Sequence, residues 1–202
     1  MPVHLIRKQP GIIGVLDLQG GVHEHIDHLE RLGIPQKRVK QQADFVDLAG
    51  LIIPGGESTT ISLLMNAYDL MEKVGELARG GLPLFGTCAG MILMAKHISG
   101  NGAPSLELMD IRVRRNAFGR QIDSFETELA IPALGKVPFP AVFIRAPVIE
   151  HCDKGVETIA HLKDGRIVAA REGKMLVAAF HPELTCDTRF HQYFLDIVAG
   201  KN

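Results

Sequence analysis

The sequence predicts an α/β fold: a mostly parallel central sheet flanked by helices, with an antiparallel elaboration in the second half. Two observations carry this. In the first half, short apolar runs closed by Gly-rich turns alternate with segments of helical periodicity, the pattern of βαβ units. After about residue 100 the helical signal weakens, and strand-like runs follow one another around turns. A chain of 202 residues that is 46% hydrophobic can bury a core without staples. The expected organisation is an N-terminal extension over residues 1–11 and a single domain over 12–200.

The elements follow in order. Ile12-Ile13-Gly14-Val15-Leu16-Asp17-Leu18 reads as a buried strand ended by Gln19-Gly20-Gly21. Residues 22–32 place Val22, Ile26, Leu29 and Leu32 near helical spacing, and Gly33 and Pro35 stop that helix. Val39 marks a second strand. Leu51-Ile52-Ile53 is a third, followed by Pro54-Gly55-Gly56, and Ser58 is the expected N-cap of a helix carrying Ile61, Leu64 and Met65. A helix over 68–79 ends at Gly80-Gly81. Pro83-Leu84-Phe85-Gly86 is a fourth strand, and residues 91–97 read as a buried helix. Asn101-Gly102-Ala103-Pro104-Ser105 is a loop. Residues 111–114, 126–131, 141–149, 156–162, 167–171 and 175–180 read as strands, the fourth and fifth joined by the Asp164-Gly165 hairpin turn. A helix over 187–199 carries Phe190, Phe194, Ile197 and Val198.

Charge and cysteine usage exclude several classes. Lys plus Arg total 22 against 23 Asp plus Glu, a net charge of −1 without the basic excess of a nucleic-acid binder. No apolar stretch is long enough for a membrane span, and the N-terminal apolar run is too short for a secretory signal. The three cysteines, Cys88, Cys152 and Cys186, are far apart and form no CxxC. That disfavours a disulfide framework or a zinc cluster and points to a reducing, cytoplasmic setting. Each thiol is then a small buried hydrophobe or a nucleophile.

Gly86-Thr87-Cys88-Ala89-Gly90 lies between a strand and a helix and has the form of a nucleophile elbow, with Cys in the serine position. Small flanking residues let the backbone bend tightly, and the following helix N-terminus favours thiolate. The alternative is a structural thiol in a Gly-rich turn. A nucleophile needs a base, and the base an orienting group. His181-Pro182-Glu183 follows a strand; in an extended segment positions two apart point the same way, so Glu183 would fix the His181 tautomer. Pro54-Gly55-Gly56-Glu57-Ser58 is not a phosphate loop, because no Gly-Lys-Ser/Thr follows. It can form an oxyanion hole with the Ala89 N–H, or be a plain turn. Of His23, His25 and His28, only the last two have a zinc-type spacing, and no third ligand is evident. A solvated helix face is expected there, with no metal. Cys152 and Cys186 read as bystanders, and Met91 and Met94 as core.

A Gly-Gly loop, a G-x-C-x-G elbow and a later His-Pro-Glu, in that order, resemble the class I, triad-type glutamine amidotransferases. Six segments sharpen the resemblance: 14–20, 54–60, 86–90, Arg115-Asn116-Ala117-Phe118-Gly119-Arg120-Gln121, Val142-Phe143-Ile144-Arg145-Ala146-Pro147 and 180–185. Together they are similar to the glutaminase subunits of two-component pyridoxal 5′-phosphate synthases over about residues 12–198. The resemblance implies a flavodoxin-like three-layer fold and hydrolysis of L-glutamine without a cofactor. In these roles Cys88 attacks, His181 is the base, Glu183 orients it, and Gly56 and Ala89 N–H groups form the oxyanion hole. It also implies glutamine contacts from Gly55, Gly56, Glu57, Ser58, Arg115, Ile144 and Arg145. Arg115 or Arg145 would pair the α-carboxylate, and Glu57 the α-ammonium.

The resemblance further implies a separate, ring-forming synthase subunit that receives the ammonia and activates the glutaminase, since 202 residues leave no room for a fused synthase. The helix face after Gln19-Gly20 would meet that partner. Asp17 stands where such proteins often have a small residue, and the N-terminal extension is longer than usual. Two other readings remain at this point: a glutaminase serving another acceptor, and a non-catalytic redox or chaperone-like protein on the same fold. The motifs at 119–121 and 144–147 weigh against the first, and the intact His181 and Glu183 against the second.

Overall fold

The computed structural model describes residues 11–100, 104–117 and 124–201. All but the last residue of the expected N-terminal extension therefore lies outside the described residues. So do residues 101–103 of the expected loop and Phe118, Gly119, Arg120 and Gln121 of the motif that begins at Arg115.

The first half alternates strand and helix: β1 (Ile12–Leu16), α1 (Val22–Arg31), β2 (Gln36–Val39), β3 (Leu48–Ile53), α2 (Ser58–Ala67), α3 (Leu70–Arg79), β4 (Leu84–Thr87), α4 (Ala89–Met94) and β5 (Ala95–Ser99). The second half is mainly strand: β6 (Met109–Arg114), β7 (Ser124–Leu129), β8 (Phe139–Ile144), β9 (Val148–Cys152), β10 (Glu157–His161), β11 (Ile167–Glu172) and β12 (Met175–Ala178), closed by α5 (Arg189–Val198). The main sheet runs β2-β1-β3-β4-β12-β11-β9-β6-β5, with β10 added to β11, while β7 and β8 form a separate antiparallel pair. Strands β2 through β12 in that order are parallel; β11, β9 and β6 then alternate in direction, and β5 lies parallel to β6. The expected class is therefore what forms.

The parallel strands are apolar because helices cover both faces of the sheet. Leu51, Ile52, Ile53, Leu84, Phe85, Leu176 and Val177 have no exposed surface. Helix α1 buries Val22, Ile26 and Leu29, and α5 buries Phe190, Phe194 and Ile197. Phe190 and Phe194 approach Phe85 with ring centroids 5.6 and 5.5 Å apart, and Phe180 meets Phe190 edge-on at 5.2 Å. Each buried ring contributes about 2–3 kcal/mol through area alone. This packing clamps α5 beneath β4, the strand that leads into Cys88.

Three local expectations are corrected. Residues 91–97 are not one helix: α4 stops at Met94, Ala95 turns extended (ψ 141°), and 95–99 pair with β6. A short apolar run does not distinguish helix from strand. Here the free edge of β6 decides the outcome, and Leu106 and Leu108 N–H groups take the Leu93 and Met94 carbonyls. Residues 141–149 are not one strand but two, β8 and β9, in different sheets. Arg145 (φ 42°) and Pro147 break the run, since one leaves the extended region and the other lacks a ladder N–H. Finally, Glu57 rather than Ser58 caps α2, accepting from Thr59 and Thr60 N–H at 2.9 and 2.7 Å. No helix among the described residues is long and apolar enough to cross a membrane.

Candidate active site

The segments after β1, β3, β4 and β12 all leave the sheet at its carboxyl edge, where parallel α/β sheets place their ligands. They carry Gln19-Gly20-Gly21, Gly55-Gly56-Glu57, Cys88 and His181. A cleft of about 570 Å³ opens between them, completed by Arg115, Asn116 and the Ile144-Arg145 corner. It has the size of a small-metabolite site. All of the predicted site residues line it except Ala89, which is buried directly behind Cys88.

Cys88 stands at φ 47°, ψ −99°, strained for any L residue, as an elbow requires. The turn is held by close packing: a Cβ at Gly90 would lie 2.1 Å from the Ile53 carbonyl oxygen, so nothing larger than glycine fits. Cys88 N–H is tied to the Ala178 carbonyl at 2.7 Å, and its Sγ lies 3.9 Å from the Ile144 carbonyl oxygen. Ala89 begins α4, so its N–H has no intrahelical acceptor.

His181 and Glu183 do meet, though not through an extended segment. Pro182–Leu184 form a single 3-10 turn, and His181 Nδ1 lies 2.7 Å from Glu183 Oε1. Burial opposes charge on His181, but hydrogen bonds to Cys88 and Glu183 outweigh it and raise the imidazole pKa to about 10. Glu183 is 4% exposed; burial pushes its pKa up, yet His25 and His181 together hold it below the usual carboxylate range. The pair is therefore imidazolium and carboxylate, with His181 Nε2 left to face Cys88.

The Gly-Gly loop is pinned from three sides. Gly55 N–H donates to Thr87 Oγ1 at 2.9 Å, and the Gly55 carbonyl accepts from Gly21 N–H at 3.0 Å. Because the peptide is trans, Gly56 N–H points away from Gly21. Gln19 Oε1 accepts from Glu57 N–H at 2.7 Å. A Cβ at Gly55 would come within 2.3 Å of His181 Cε1, so the loop packs directly against the His181 ring.

The charged residues divide unevenly. Four contacts hold Glu57: the two α2 amides, Thr60 Oγ1 at 2.8 Å and Arg115 Nη2 at 3.3 Å. The hydrogen bond from Thr59 N–H is the largest of the effects that pull its pKa down, to about 2. Arg115 also reaches Thr59 Oγ1 at 3.4 Å. Arg145 lines the cleft and forms no ion pair with a described residue. Asp17 turns away and pairs with Arg38 and Lys40, both at 3.2 Å.

His25 and His28 are not on a solvated face; of the three helix histidines only His23 is exposed. His25 and His28 have 0% and 1% exposure. His25 Nε2 lies 3.1 Å from Thr87 Oγ1 and 3.5 Å from Glu183 Oε2. The sequence held the signal: positions 22, 25, 26 and 29 form one helical stripe, and His25 sits inside it. Gln19 and Thr87, the loop's anchors, were also missed as site residues, although both lie within motifs at strand ends. Among the described residues no group of three or more His, Cys, Asp or Glu side chains is arranged to hold a metal ion. Cys152 is half-buried, which pushes its thiol pKa up; Cys186 is exposed, and neither lines the cleft.

Comparison with known proteins agrees with this geometry. The chain is 56% identical to the pyridoxal 5′-phosphate synthase subunit PdxT of Herpetosiphon aurantiacus, over 92% of this chain and 99% of that one. It is 55% identical to the protein of the same name from Moorella thermoacetica, over 92% and 98%. A crystal structure of a glutamine amidotransferase superposes with a TM-score of 0.88 at 48% identity, covering 93% of this chain and 98% of that one. The structure of PurLQS from Thermotoga maritima shares the fold alone, with a TM-score of 0.66 at 16% identity, covering 92% of this chain and 97% of that one. The family model of the SNO glutamine amidotransferases matches residues 15–199, and the chain belongs to that family.

Proposed function

We propose that this protein is the glutaminase subunit of a pyridoxal 5′-phosphate synthase, a single domain over residues 12–200 working in the cytoplasm. It hydrolyses L-glutamine to L-glutamate and ammonia and passes the ammonia to a ring-forming synthase subunit. The observation that carries the chemistry is the strained Cys88 elbow beside the His181–Glu183 pair, whose ring and carboxylate are 2.7 Å apart.

The steps follow from that geometry. Cys88 Sγ adds to the side-chain amide carbon of glutamine, and the thiol proton resides on His181. The oxyanion that forms is held by the Gly56 and Ala89 N–H groups. His181 then protonates the leaving nitrogen, the C–N bond breaks, and ammonia departs from a γ-glutamyl thioester. A water molecule attacks the thioester, giving its proton to His181, and glutamate leaves as Cys88 is regenerated. Glu183 keeps the imidazole proton on Nδ1 throughout. Gly55, Ser58 and Ile144 shape the wall of the cleft. Because Glu57 is already committed to capping α2, its pairing with the substrate ammonium is a second use of the same carboxylate.

Glutamate release measured with and without the synthase subunit tests the assignment. The rate is expected to be low alone and to rise on addition of the partner. Equal rates would reject activation through the partner, and no glutamate under either condition would reject the glutaminase itself. Arg115 and Arg145 are proposed to hold the α-carboxylate. Loss of one charge-assisted bond costs about 1.5–3 kcal/mol. Arg115→Ala should therefore raise KM for glutamine about 10- to 100-fold and leave kcat nearly unchanged. An unchanged KM would remove Arg115 from the binding site.

A further inference from the structure

Beneath Glu183, between α1 and α5, lies a cluster of three histidines with no part in the steps above. His25, His28 and His191 are all 1% exposed or less. His25 Nδ1 is 2.9 Å from His191 Nε2, His28 packs against His191 with the rings tilted by 34° and centroids 4.3 Å apart, and His28 Nε2 is 2.9 Å from the Thr185 carbonyl oxygen. Two ring nitrogens, His28 Nδ1 and His191 Nδ1, are buried without partners, and Glu183 Oε2 has no hydrogen bond of its own.

One proton arrangement accommodates all of these atoms. His28 Nε2 must donate to the Thr185 carbonyl, which leaves its orphaned Nδ1 bare. Glu183 Oε2 faces His25 Nε2, so that nitrogen carries the proton. His25 Nδ1 then accepts from His191 Nε2–H, and the orphaned His191 Nδ1 is bare as well. The opposite arrangement would bury an unpaired N–H on His191 and turn a lone pair toward a carboxylate, a costly combination. Burial holds all three rings neutral, His191 most strongly. The charged groups facing them are Glu24, Asp27 and Arg31 of α1, His181 and Glu183 of the triad segment, and Asp187 before α5.

We infer that His25 is a positioning residue for the glutaminase reaction: its Nε2–H, oriented by His191, bonds Thr87, the anchor of the oxyanion loop, and turns its positive end toward the free oxygen of Glu183 3.5 Å away. One proton thereby fixes both halves of the site. On one side it sets the carboxylate that orients His181; on the other it bonds Thr87 Oγ1, which accepts the Gly55 N–H. This rests on the glutaminase reading and deepens it.

The test measures glutamate release over pH from the chain assembled with its synthase subunit. His25→Met keeps the bulk and removes the donor. His25→Gln places an amide N–H near the Nε2 position, whereas His25→Asn reaches only the Nδ1 position. His25→Met should lower kcat about 10- to 100-fold with KM within about twofold, because positioning is lost and substrate contacts are not. Its acidic limb should move to higher pH, since Glu183 loses a group that keeps it ionised. His25→Gln should recover most of kcat, and His25→Asn should not. If the Met variant does not fold, the comparison of Gln with Asn decides. A folded Met variant with wild-type kcat and acidic limb would overturn the inference, as would equal activity of the Gln and Asn variants. An inactive wild-type complex would instead remove the glutaminase reading.

Discussion

Cys88→Ala should abolish glutamate production, with kcat falling by at least about 10³-fold, the scale on which removing a nucleophile acts in such triads. The fold should survive. Alanine at φ 47° is no more strained than cysteine, so the elbow keeps its conformation. The loss of one buried sulfur, 3.9 Å from the Ile144 carbonyl oxygen, costs about 1 kcal/mol. Glutamine binding should persist, because the proposed carboxylate contacts come from Arg115 and Arg145, on other segments. The measurement is therefore threefold: glutamate release, glutamine affinity by calorimetry and the melting temperature. Retained turnover would displace Cys88 as the nucleophile. Cys186 would not be the replacement, since it is exposed and outside the cleft.

That Cys88, His181 and Glu183 meet in one cleft was legible because an elbow and a His-x-Glu turn are short local patterns. An elbow needs small residues around the nucleophile, and Gly90 packs against Ile53 so closely that the requirement is visible in the chain. The parallel half of the sheet was legible for a similar reason: β1, β3 and β4 are buried on both faces and read as unbroken apolar runs. What was hidden depends on contacts across the fold. The division at Arg145 follows from β8 and β9 joining different sheets, and that corner is what brings Ile144 and Arg145 to the cleft. The end of α4 is set by the open edge of β6. His25 lies on the inner stripe of α1, yet a histidine among Glu, Asp and Arg reads as surface until α5 supplies His191 to receive it. Glu57 was legible as part of the Gly-Gly loop at the cleft but not as the cap of α2, which shows only once its carboxylate is seen to accept from Thr59 and Thr60 N–H.

Glu183→Gln should lower kcat about 10²- to 10⁴-fold while leaving KM close to that of the wild type. Replacing the orienting carboxylate of a related triad by its amide has an effect of this size through the wrong tautomer. Here the amide is caught between two donors. If its oxygen faces His181 Nδ1, its NH₂ faces His25 Nε2–H, and the histidine cluster must reverse and bury an unpaired N–H on His191. If the NH₂ faces His181, the ring must give up its Nδ1 proton, and it can no longer be the imidazolium that carries the Cys88 proton to the leaving nitrogen. Either choice damages the site, and neither touches the substrate. The pH profile separates this from simple loss of packing. Glu183 is one of the groups that raise His181 to about 10, so without the carboxylate that pKa must fall. The alkaline limb, where His181 loses the proton destined for ammonia, should move to lower pH. An unchanged kcat, or a reduced kcat with an unmoved alkaline limb, would take Glu183 out of the triad and leave it a buried structural acid.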